Sequence, residues 1–261
     1  MALSRLEIEA WATRLAAARR ESATCTPLSS SIELGLADAY AIQRAGIAIR
    51  VGRGEKVVGW KLGYTSLAMR AQMGIDQPNY APLTDAMLMA SGETVRSPLI
   101  QPRVEPEIGL RVARPLRGQV STGEVMDAVG EAFACLEIVD SVFPGYRFRL
   151  EDNTADGSSA ALVVVGPRLD GLRGLEHVTV TLRHNGEAVE SATGAAASGH
   201  PAAGVVWLVE ELSRHGQHLH AGDLVITGGL TRAIPFTAGD EVDAIFDGVT
   251  LVATRRAALP A

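Results

Sequence analysis

The sequence predicts an α+β protein with a helical beginning and a β-rich remainder. Apolar residues recur at helical spacing through roughly the first 75 residues, whereas strand-like alternation predominates after residue 95. Asn-Gly at 185–186 and Asp-Gly at 247–248 each lie between two such alternating runs, which predicts two β-hairpins. We therefore expect an N-terminal helical segment over residues 1–75 and a β-rich domain over residues 76–261.

Two helices are predicted in the N-terminal segment. Ser4 and Glu7 have the spacing of a capping box, and the helix that follows is expected to end near Arg20. A second helix is predicted over 36–51, where glycines follow directly. Neither helix carries a cluster of reactive side chains, so we interpret both as packing elements.

The later elements follow from the same patterns. Strands are predicted at 56–65, at 101–112 and at 222–236, the last one broken at Gly228-Gly229. An irregular loop is predicted at 76–87, and helices are predicted at 66–74, 122–134 and 202–215.

Composition excludes several classes of partner. The chain has 47% hydrophobic and 21% charged residues and a net charge of −6, which is typical of globular proteins with a sizeable core. Lys and Arg form no basic stripe for nucleic acid, and no apolar run approaches the ~20 residues of a membrane helix. Cys25 and Cys135 are expected to be small buried side chains in a reducing compartment. We predict a cytoplasmic protein without nucleic-acid or membrane partners.

The stretch QPRVEPEIGLRV at 101–112 alternates with period two, as a strand does. The alternation places Glu105 and Glu107 side by side on one face, with Gly109 beyond them. Two like charges in this position repel each other unless they face water or share a cation. A solvated sheet face and a cation site are therefore both possible interpretations.

A third acid, Glu137, is isolated in the apolar run FACLEIVDS. A carboxylate that is buried without a partner is costly, so Glu137 needs Arg, Lys or a metal ion beside it. With Glu105 and Glu107 it makes an oxygen-only set, which suits a hard divalent ion such as Mg²⁺ or Mn²⁺. Residue type favours this site, but sequence spacing does not establish it.

Lys61 lies between two glycines in KVVGWKLGYT. It is either a surface lysine or a partly desolvated acid or anion-binding group. The run NTADGSSAALVVVG at 153–166 is rich in small residues before a buried strand. Small residues let a ligand approach the backbone closely, but they also suit a plain turn.

Several motifs occur in a fixed order between about residues 36 and 254. They are GWKLGYTS, DQPNYAPLTDAM, LIQPRVEPEIGL, LEIVDS, TADGSS, GAAASGHP and AGDLVITGG. Together they resemble the 2-hydroxypenta-2,4-dienoate (2-oxopent-4-enoate) hydratase and 4-oxalocrotonate decarboxylase family, within the fumarylacetoacetate hydrolase-like superfamily. The resemblance implies a mixed β-roll or sandwich catalytic domain behind a small helical segment, assembled as a homo-oligomer.

The resemblance also implies roles for individual residues. It assigns the metal, Mg²⁺ or Mn²⁺, to Glu105, Glu107 and Glu137. It assigns catalytic roles to Lys61 and Ser159, and substrate binding to Asn79, Thr227 and Gly228.

The activity implied first is a hydratase that adds water to 2-hydroxypenta-2,4-dienoate-like acids in aromatic-compound catabolism (a 2-keto-4-pentenoate hydratase). The alternative is a 4-oxalocrotonate (2-oxohex-3-enedioate) decarboxylase with the same metal site. A third hypothesis, from another class, is a non-catalytic subunit that binds a pathway enzyme, since members of this family form mixed complexes. The retained lysine and acids argue against the third.

Departures from the family pattern bear on this choice. Many of the hydratases have an acid where this chain has Asn79, and TGG at 227–229 is more similar to the decarboxylases. LTDAM and TPLSS are more similar to the hydratases. Pro106 between the two strand glutamates predicts an edge or bulged position, because proline cannot donate to a ladder.

Overall fold

The computed structural model describes residues 2–66, 70, 75, 77–248 and 250–257. The helices are α1 Arg5–Arg20, α2 Leu36–Val51, α3 Thr122–Ala128, α4 Leu150–Ala155 and α5 Pro201–Arg214. The strands are β1 Val57–Gly63, β2 Asn79–Thr84, β3 Leu88–Ala90, β4 Thr94–Val95, β5 Arg103–Val112, β6 Val129–Val139, β7 Ala160–Arg168, β8 Thr179–His184, β9 Glu187–Thr193, β10 Leu224–Ile226, β11 Ile234–Pro235, β12 Glu241–Phe246 and β13 Thr250–Arg256.

The two N-terminal helices agree with the prediction. At the start of α1 the Ser4 hydroxyl accepts the Glu7 N–H, and the Glu7 carboxylate accepts the Ser4 N–H at 2.8 Å. The helices pack around an apolar cluster of their own, which includes Leu15, Ile42 and Phe143. None of the described helices is both long and apolar enough to span a bilayer.

Two sheets form the rest of the described chain. The large sheet has the order β2-β1-β10-β5-β6-β7-β3, and β11 also pairs with β5. It is mixed, because β1 pairs with β10 and β3 with β7 in parallel while its other pairs are antiparallel. The small sheet has the order β4-β13-β12-β8-β9 and contains both predicted hairpins.

The two sheets pack on one shared core. Ile108 and Leu110 from β5 belong to the same buried cluster as Leu182 from β8, Phe246 from β12 and Val252 from β13. Apolar side chains from facing sheets are what stabilises a sandwich. The predicted α+β class, with mixed sheets and a helical beginning, is confirmed.

Pro106 lies inside β5, a central strand, so the expected edge or bulged position is wrong. The main chain on one side of β5 pairs with β10 at residues 109–111 and with β11 at residues 103 and 104. Pro106 falls between these two pairings, where its carbonyl accepts the N–H of Leu230. The missing proline N–H is tolerated because no strand pairs with this side of β5 at Pro106, although β6 pairs with its other side.

Two predicted boundaries are wrong. The helix expected over 122–134 ends at Ala128, and Val129 begins β6. The loop expected at 76–87 contains β2, whose six residues are all buried. Residues 129–134 are a strand because β6 pairs with β5, and residues 79–84 are a strand because β2 pairs with β1.

Two further predictions are not decided. Most of the helix expected at 66–74 lies outside the described residues. The division between residues 75 and 76 stays a prediction, although β1, on its N-terminal side, pairs with both β2 and β10 in the large sheet.

Candidate active site

Three glutamates meet on one face of the large sheet. Glu105 on β5 lies directly opposite Glu137 on β6, and Glu107 follows two residues along β5 on the same face. One carboxylate oxygen from each glutamate lies within 4.8 Å of those of the other two. Glu107 and Glu137 are fully buried, so the interpretation as a solvated sheet face is wrong.

Burial and repulsion between neighbouring charges disfavour the ionised forms of Glu105 and Glu107. Burial, reinforced by the charge of Glu137, raises the pKa of Glu105 to about 7. The pKa of Glu107 is raised well above its ordinary value by burial and by the charges of Glu137 and Glu105. Without a cation the cluster therefore retains protons near neutral pH.

Lys61 extends from β1 into this cluster. Its Nζ lies 2.9 Å from Glu137 Oε2 and donates to the carbonyl oxygen of Ser158 at 3.0 Å. Burial acts to lower the pKa of Lys61, but the charges of the three glutamates together outweigh it, so the pKa is raised. With 3% of its surface exposed, Lys61 is not the surface lysine that one interpretation allowed.

The carboxylate oxygens fit a hard cation. Glu107 Oε2 accepts the backbone N–H of Gly228 at 2.7 Å, but Glu107 Oε1 and Glu137 Oε1 are buried with no hydrogen-bond donor among the described residues. Apart from the ion pair with Lys61, Glu137 Oε2 also receives no donor from the described part of the chain. Buried acceptors of this kind are costly unless a cation satisfies them. An all-oxygen donor set suits Mg²⁺ or Mn²⁺.

Gly229 provides the room for Glu105. A Cβ at Gly229 would lie 2.1 Å from Glu105 Oε2, so any larger residue would displace this carboxylate. The space beside Gly109, by contrast, is filled by Cys135. Cys135 and the half-buried Cys25 are both free thiols.

Ser159 belongs to an unusual turn before β7. Gly157, Ser158 and Ser159 have φ values of 70°, 54° and 56° in succession, and the two serines therefore adopt a conformation that is uncommon outside glycine. The Ser159 hydroxyl accepts from Asn153 Nδ2 at 3.0 Å and lines a cavity. Non-glycine residues with such backbones concentrate at functional sites.

Asn79 lies behind this turn. Its amide nitrogen donates to Asn153 Oδ1 and Thr154 Oγ1, and its amide oxygen accepts from the Ser158 hydroxyl at 2.9 Å. Asn79 is fully buried and is not among the residues that line the cavity. These contacts hold the turn that carries Ser158 and Ser159, and the direct contact of Asn79 with substrate stays a prediction.

Thr227 and Gly228 also lie behind the cavity wall rather than on it. The Thr227 hydroxyl donates to the carbonyl of Ile108 at 3.0 Å, and the Gly228 N–H holds Glu107. Both residues thus orient β5 and its carboxylate. Of the TGG run, only Gly229 lines the cavity.

A cavity with a volume of about 510 Å³ opens onto Lys61, Glu105 and Ser159. Its other walls include aromatic and apolar side chains together with two arginines. These are Tyr64, Tyr146, Phe148, Val139, Ile234, Pro235, Arg103 and Arg232. A largely apolar pocket with a few convergent polar groups is typical of a site for a small organic molecule.

The sequence reasoning overlooked two residues of this cavity. Tyr64 has a φ of 56°, and burial raises its pKa, with a further contribution from the charge of Glu105. Arg103 precedes Glu105 by two residues on β5, so period-two alternation already placed it on the same face as the glutamates. That signal was available in QPRVEPE.

Residues 56–255 match the model of the family described as fumarylacetoacetate (FAA) hydrolase C-terminal. The chain belongs to this family. The match includes nearly all of both sheets, together with Lys61, Glu105, Glu107 and Glu137.

Individual relatives within the FAA hydrolase family carry two different names. A 4-oxalocrotonate decarboxylase from Pseudomonas sp. (strain CF600) is 36% identical over 227 residues, covering 85% of this chain and 86% of the relative. A 2-keto-4-pentenoate hydratase from Burkholderia vietnamiensis (strain G4 / LMG 22486) is 37% identical over 247 residues, covering 93% and 94%. Overall identity therefore does not separate the two activities.

A solved structure shows the same architecture. The 4-oxalocrotonate decarboxylase from Pseudomonas putida G7, complexed with magnesium and adipate, matches with a TM-score of 0.94 and 33% identity. The match covers 97% of this chain and 98% of that one. The helical beginning is therefore shared along with the sheets.

Proposed function

We propose that this protein is a divalent-metal-dependent lyase that hydrates 2-hydroxypenta-2,4-dienoate-like acids. The observation that carries the proposal is the set of buried carboxylate oxygens on Glu107 and Glu137 that no described donor satisfies. Glu105, Glu107 and Glu137 would hold Mg²⁺ or Mn²⁺. The bound ion would supply Lewis-acid polarisation of the substrate's 2-oxygen.

Lys61 is the proton-handling group. Two of its three ammonium hydrogens are directed to Glu137 and to the Ser158 carbonyl, which leaves one for the substrate. Its raised pKa keeps the amine charged at neutral pH in the metal-free protein. A cation among the glutamates would offset the charges that raise this pKa, and so would bring Lys61 closer to the range in which it can exchange protons.

Ser159 and the apolar wall orient the acid. The Ser159 hydroxyl accepts from Asn153, and its own hydrogen has only a distant acceptor in Asp156 Oδ2, at 3.5 Å. That hydrogen is therefore free to be donated to a substrate oxygen. Phe148, Val139 and Ile234 provide an apolar surface for an unsaturated carbon chain.

The test combines metal removal with two substrates. The purified protein is assayed in EDTA, Mg²⁺ and Mn²⁺ with 2-hydroxypenta-2,4-dienoate, by loss of ultraviolet absorbance, and with 2-oxohex-3-enedioate, by release of CO₂. We expect metal-dependent turnover of at least one acid. The proposal would be contradicted if neither acid were turned over in Mg²⁺ and neither were turned over in Mn²⁺.

Decarboxylation of 2-oxohex-3-enedioate is the second candidate. The observation that favours it is the environment of Asn79, at the position where many hydratases of the family have an acid. Asn79 is committed to hydrogen bonds within the protein and carries no ionisable group to activate water. The two-substrate assay distinguishes the candidates, because only decarboxylation releases CO₂. A non-catalytic subunit would turn over neither acid.

The assembly predicted from the sequence stays a prediction. We propose a homo-oligomer, located in the cytoplasm and able to associate with an enzyme of the same pathway. Light scattering of the purified protein measures the oligomeric state directly, and a monomer would contradict this proposal.

A further inference from the structure

Arg103 lies next to the glutamates on β5. It precedes Glu105 by two residues, so its side chain leaves the same face of the strand, about 6.6 Å further along the chain axis. Arg103, Glu105 and Glu107 thus form one row. Arg103 and Glu105 both line the cavity. A ligand held by the glutamates therefore has this arginine within reach of its far end.

The guanidinium of Arg103 has no acceptor within the described protein. It forms neither a hydrogen bond nor an ion pair with any described residue, although a guanidinium offers five N–H donors. The guanidinium lies over the ring of Tyr146, whose centroid is 4.3 Å from Arg103 Cζ, and its charge acts to lower the pKa of Glu105 against the larger effect of burial. A half-buried arginine with unused donors in a cavity wall is well suited to a carboxylate ligand.

Tyr146 is a rigid support for Arg103. Its hydroxyl donates to the carbonyl of Val139 at 2.9 Å and to that of Gln101 at 3.2 Å, which fixes the ring. Its φ of 58° is uncommon for a bulky residue and persists only where the surroundings impose it. Stacking on a fixed ring reduces the freedom that Arg103 would lose on binding an anion.

The other arginine in the cavity wall is already paired. Arg232 Nε donates to Glu190 Oε1 at 2.9 Å, and its Nη2 contacts the same oxygen. With 75% of its side chain exposed, Arg232 lies at the mouth of the cavity. The two arginines therefore provide a matched pair, one with free donors and one with a partner.

We propose that Arg103 binds a second, distal carboxylate of the substrate, which is accordingly a 2-oxo or 2-hydroxydienoic dicarboxylic acid. This inference rests on the proposed function for the metal site, where the 2-oxo acid end of the substrate lies. Between the two candidate substrates it favours 2-oxohex-3-enedioate, which has a second carboxylate, over 2-hydroxypenta-2,4-dienoate, which has none. Arg103 is then the residue that sets specificity for a diacid over a monoacid of equal length. It discriminates because a monoacid leaves its donors without an acceptor.

The test compares two unreactive probes of the same chain length. Binding of 2-oxoadipate and of 2-oxohexanoate is measured by titration calorimetry in saturating Mg²⁺, for the wild type and for Arg103→Met, Arg103→Lys and Arg232→Gln. We expect the wild type to prefer 2-oxoadipate by about tenfold to a hundredfold, the range for one charge-assisted contact. Arg103→Met should abolish the preference by weakening 2-oxoadipate alone.

The other two variants make the assignment specific. Arg103→Lys keeps the charge but loses the paired donors, so it should retain part of the preference. Arg232→Gln should retain all of it. Melting temperatures of the variants exclude misfolding as the cause of any loss.

Three results would overturn the inference. The first is a preference that persists in Arg103→Met, and the second is a preference that disappears in Arg232→Gln. The third is equal loss of both probes in Arg103→Met, which would mean that Arg103 only balances the charge of the glutamates. Failure of the proposed function has a different signature, because then neither probe would bind the wild type in the presence of Mg²⁺.

Discussion

Asp152 and Asp156, which pack against the N-terminal helical segment, are buried like Glu107 and Glu137 of the large sheet, but Asp152 has many more hydrogen-bond donors around it. Asp152 is fully buried and accepts from the N–H of Ser29 at 2.8 Å, the Ser29 hydroxyl at 2.6 Å and the N–H of Arg149 at 3.0 Å. Asp156 pairs with Arg19 at 2.7 Å. These acids connect segments that are distant in sequence. Asp152 contributes to stability because its donors are supplied, whereas burial raises the pKa of Asp156 to about 6 in spite of its ion pair with Arg19.

The glutamates have far fewer donors. Glu107 accepts one backbone N–H, and Glu137 has only the ammonium of Lys61 as a partner among the described residues. Burial alone therefore does not identify a functional acid in this protein. The number of donors around each carboxylate does, because an unsatisfied buried charge persists only where something other than stability requires it.

The largest expected effect is that of Glu107→Gln on activity. Glutamine keeps the size of the side chain and an acceptor for the Gly228 N–H, but it removes one charged oxygen ligand. We expect metal affinity and kcat/KM to fall by at least about 100-fold, beyond the usual cost of losing a group that only supports a ligand. Titration calorimetry with Mg²⁺ and the two-substrate assay measure both losses.

The same variant should fold at least as well as the wild type. Removing one of three clustered negative charges relieves repulsion, so the free energy of unfolding of metal-free protein at pH 8 should rise by about 1–2 kcal/mol. A marked loss of stability would mean that Glu107 is a structural acid like Asp152, and it would contradict the contrast between the two groups.

Asp152→Ala tests the other side of the comparison. It leaves two donors of Ser29 and the N–H of Arg149 without their acceptor, so we expect the free energy of unfolding to fall by about 2–4 kcal/mol. Metal affinity of the folded protein should not change. Urea unfolding and Mg²⁺ titration measure the two quantities, and a loss of metal affinity without a loss of stability would reverse the assignment.

The pH dependence of stability should reveal the raised pKa values of Asp156 and Glu105, and only the contribution of the glutamates should respond to Mg²⁺. The pKa of Glu105 is about 7 in the folded protein against an ordinary value of 4.5, so the folded state binds more protons between these values. The stability of metal-free protein should therefore fall as pH rises from about 4.5 through 7, by about 1–3 kcal/mol. Excess Mg²⁺ should remove this loss, because metal binding favours the ionised carboxylates.

Urea unfolding of the EDTA-treated protein at pH 5.5 and pH 8, with and without Mg²⁺, measures this effect. Glu107→Gln provides the control, since it has one acid fewer and should show a smaller decrease. A metal-free protein that is more stable at pH 8 than at pH 5.5 would contradict the raised pKa of the cluster.

The smallest expected effect is that of Asn79→Ala. The substitution removes the contacts of Asn79 with Asn153, Thr154 and Ser158, so the turn that carries Ser159 should loosen. We expect kcat to fall by about tenfold, the cost of roughly one lost hydrogen bond, together with a decrease in melting temperature. Steady-state kinetics that show a higher KM, with unchanged kcat and stability, would instead indicate direct substrate contact.

The sequence predicted the glutamates well because their signal is local. Period-two alternation placed Glu105 and Glu107 on one face, and the apolar run around Glu137 showed that this acid needed a partner. What the sequence did not contain is the register that sets Glu105 opposite Glu137, which depends on pairing between β5 and β6. Residue type predicted the convergence, but only tertiary structure provides it.

The errors have a common origin. Residues 129–134 continue an apolar pattern that suits a helix as well as a strand, and pairing with β5 decides in favour of a strand. The substrate-binding roles of Asn79, Thr227 and Gly228, implied by a resemblance, stay predictions, and in the structure each of these residues forms a hydrogen bond within the protein. Sequence motifs identify which residues matter to a site more reliably than they show which of them line it.

The break in pairing beside Pro106 has a consequence for how such proteins diversify. β10 and β11 are both anchored on β5, so the segment between Ile226 and Ile234 is tied at its two ends. Residues 229 and 232–235 form part of the cavity wall. Substitutions at residues 232–235 would reshape the space for the substrate's tail without touching the carboxylates, whereas Gly228 binds Glu107 and Gly229 leaves room for Glu105. Evolution can thus alter the choice of acid without rebuilding the chemistry.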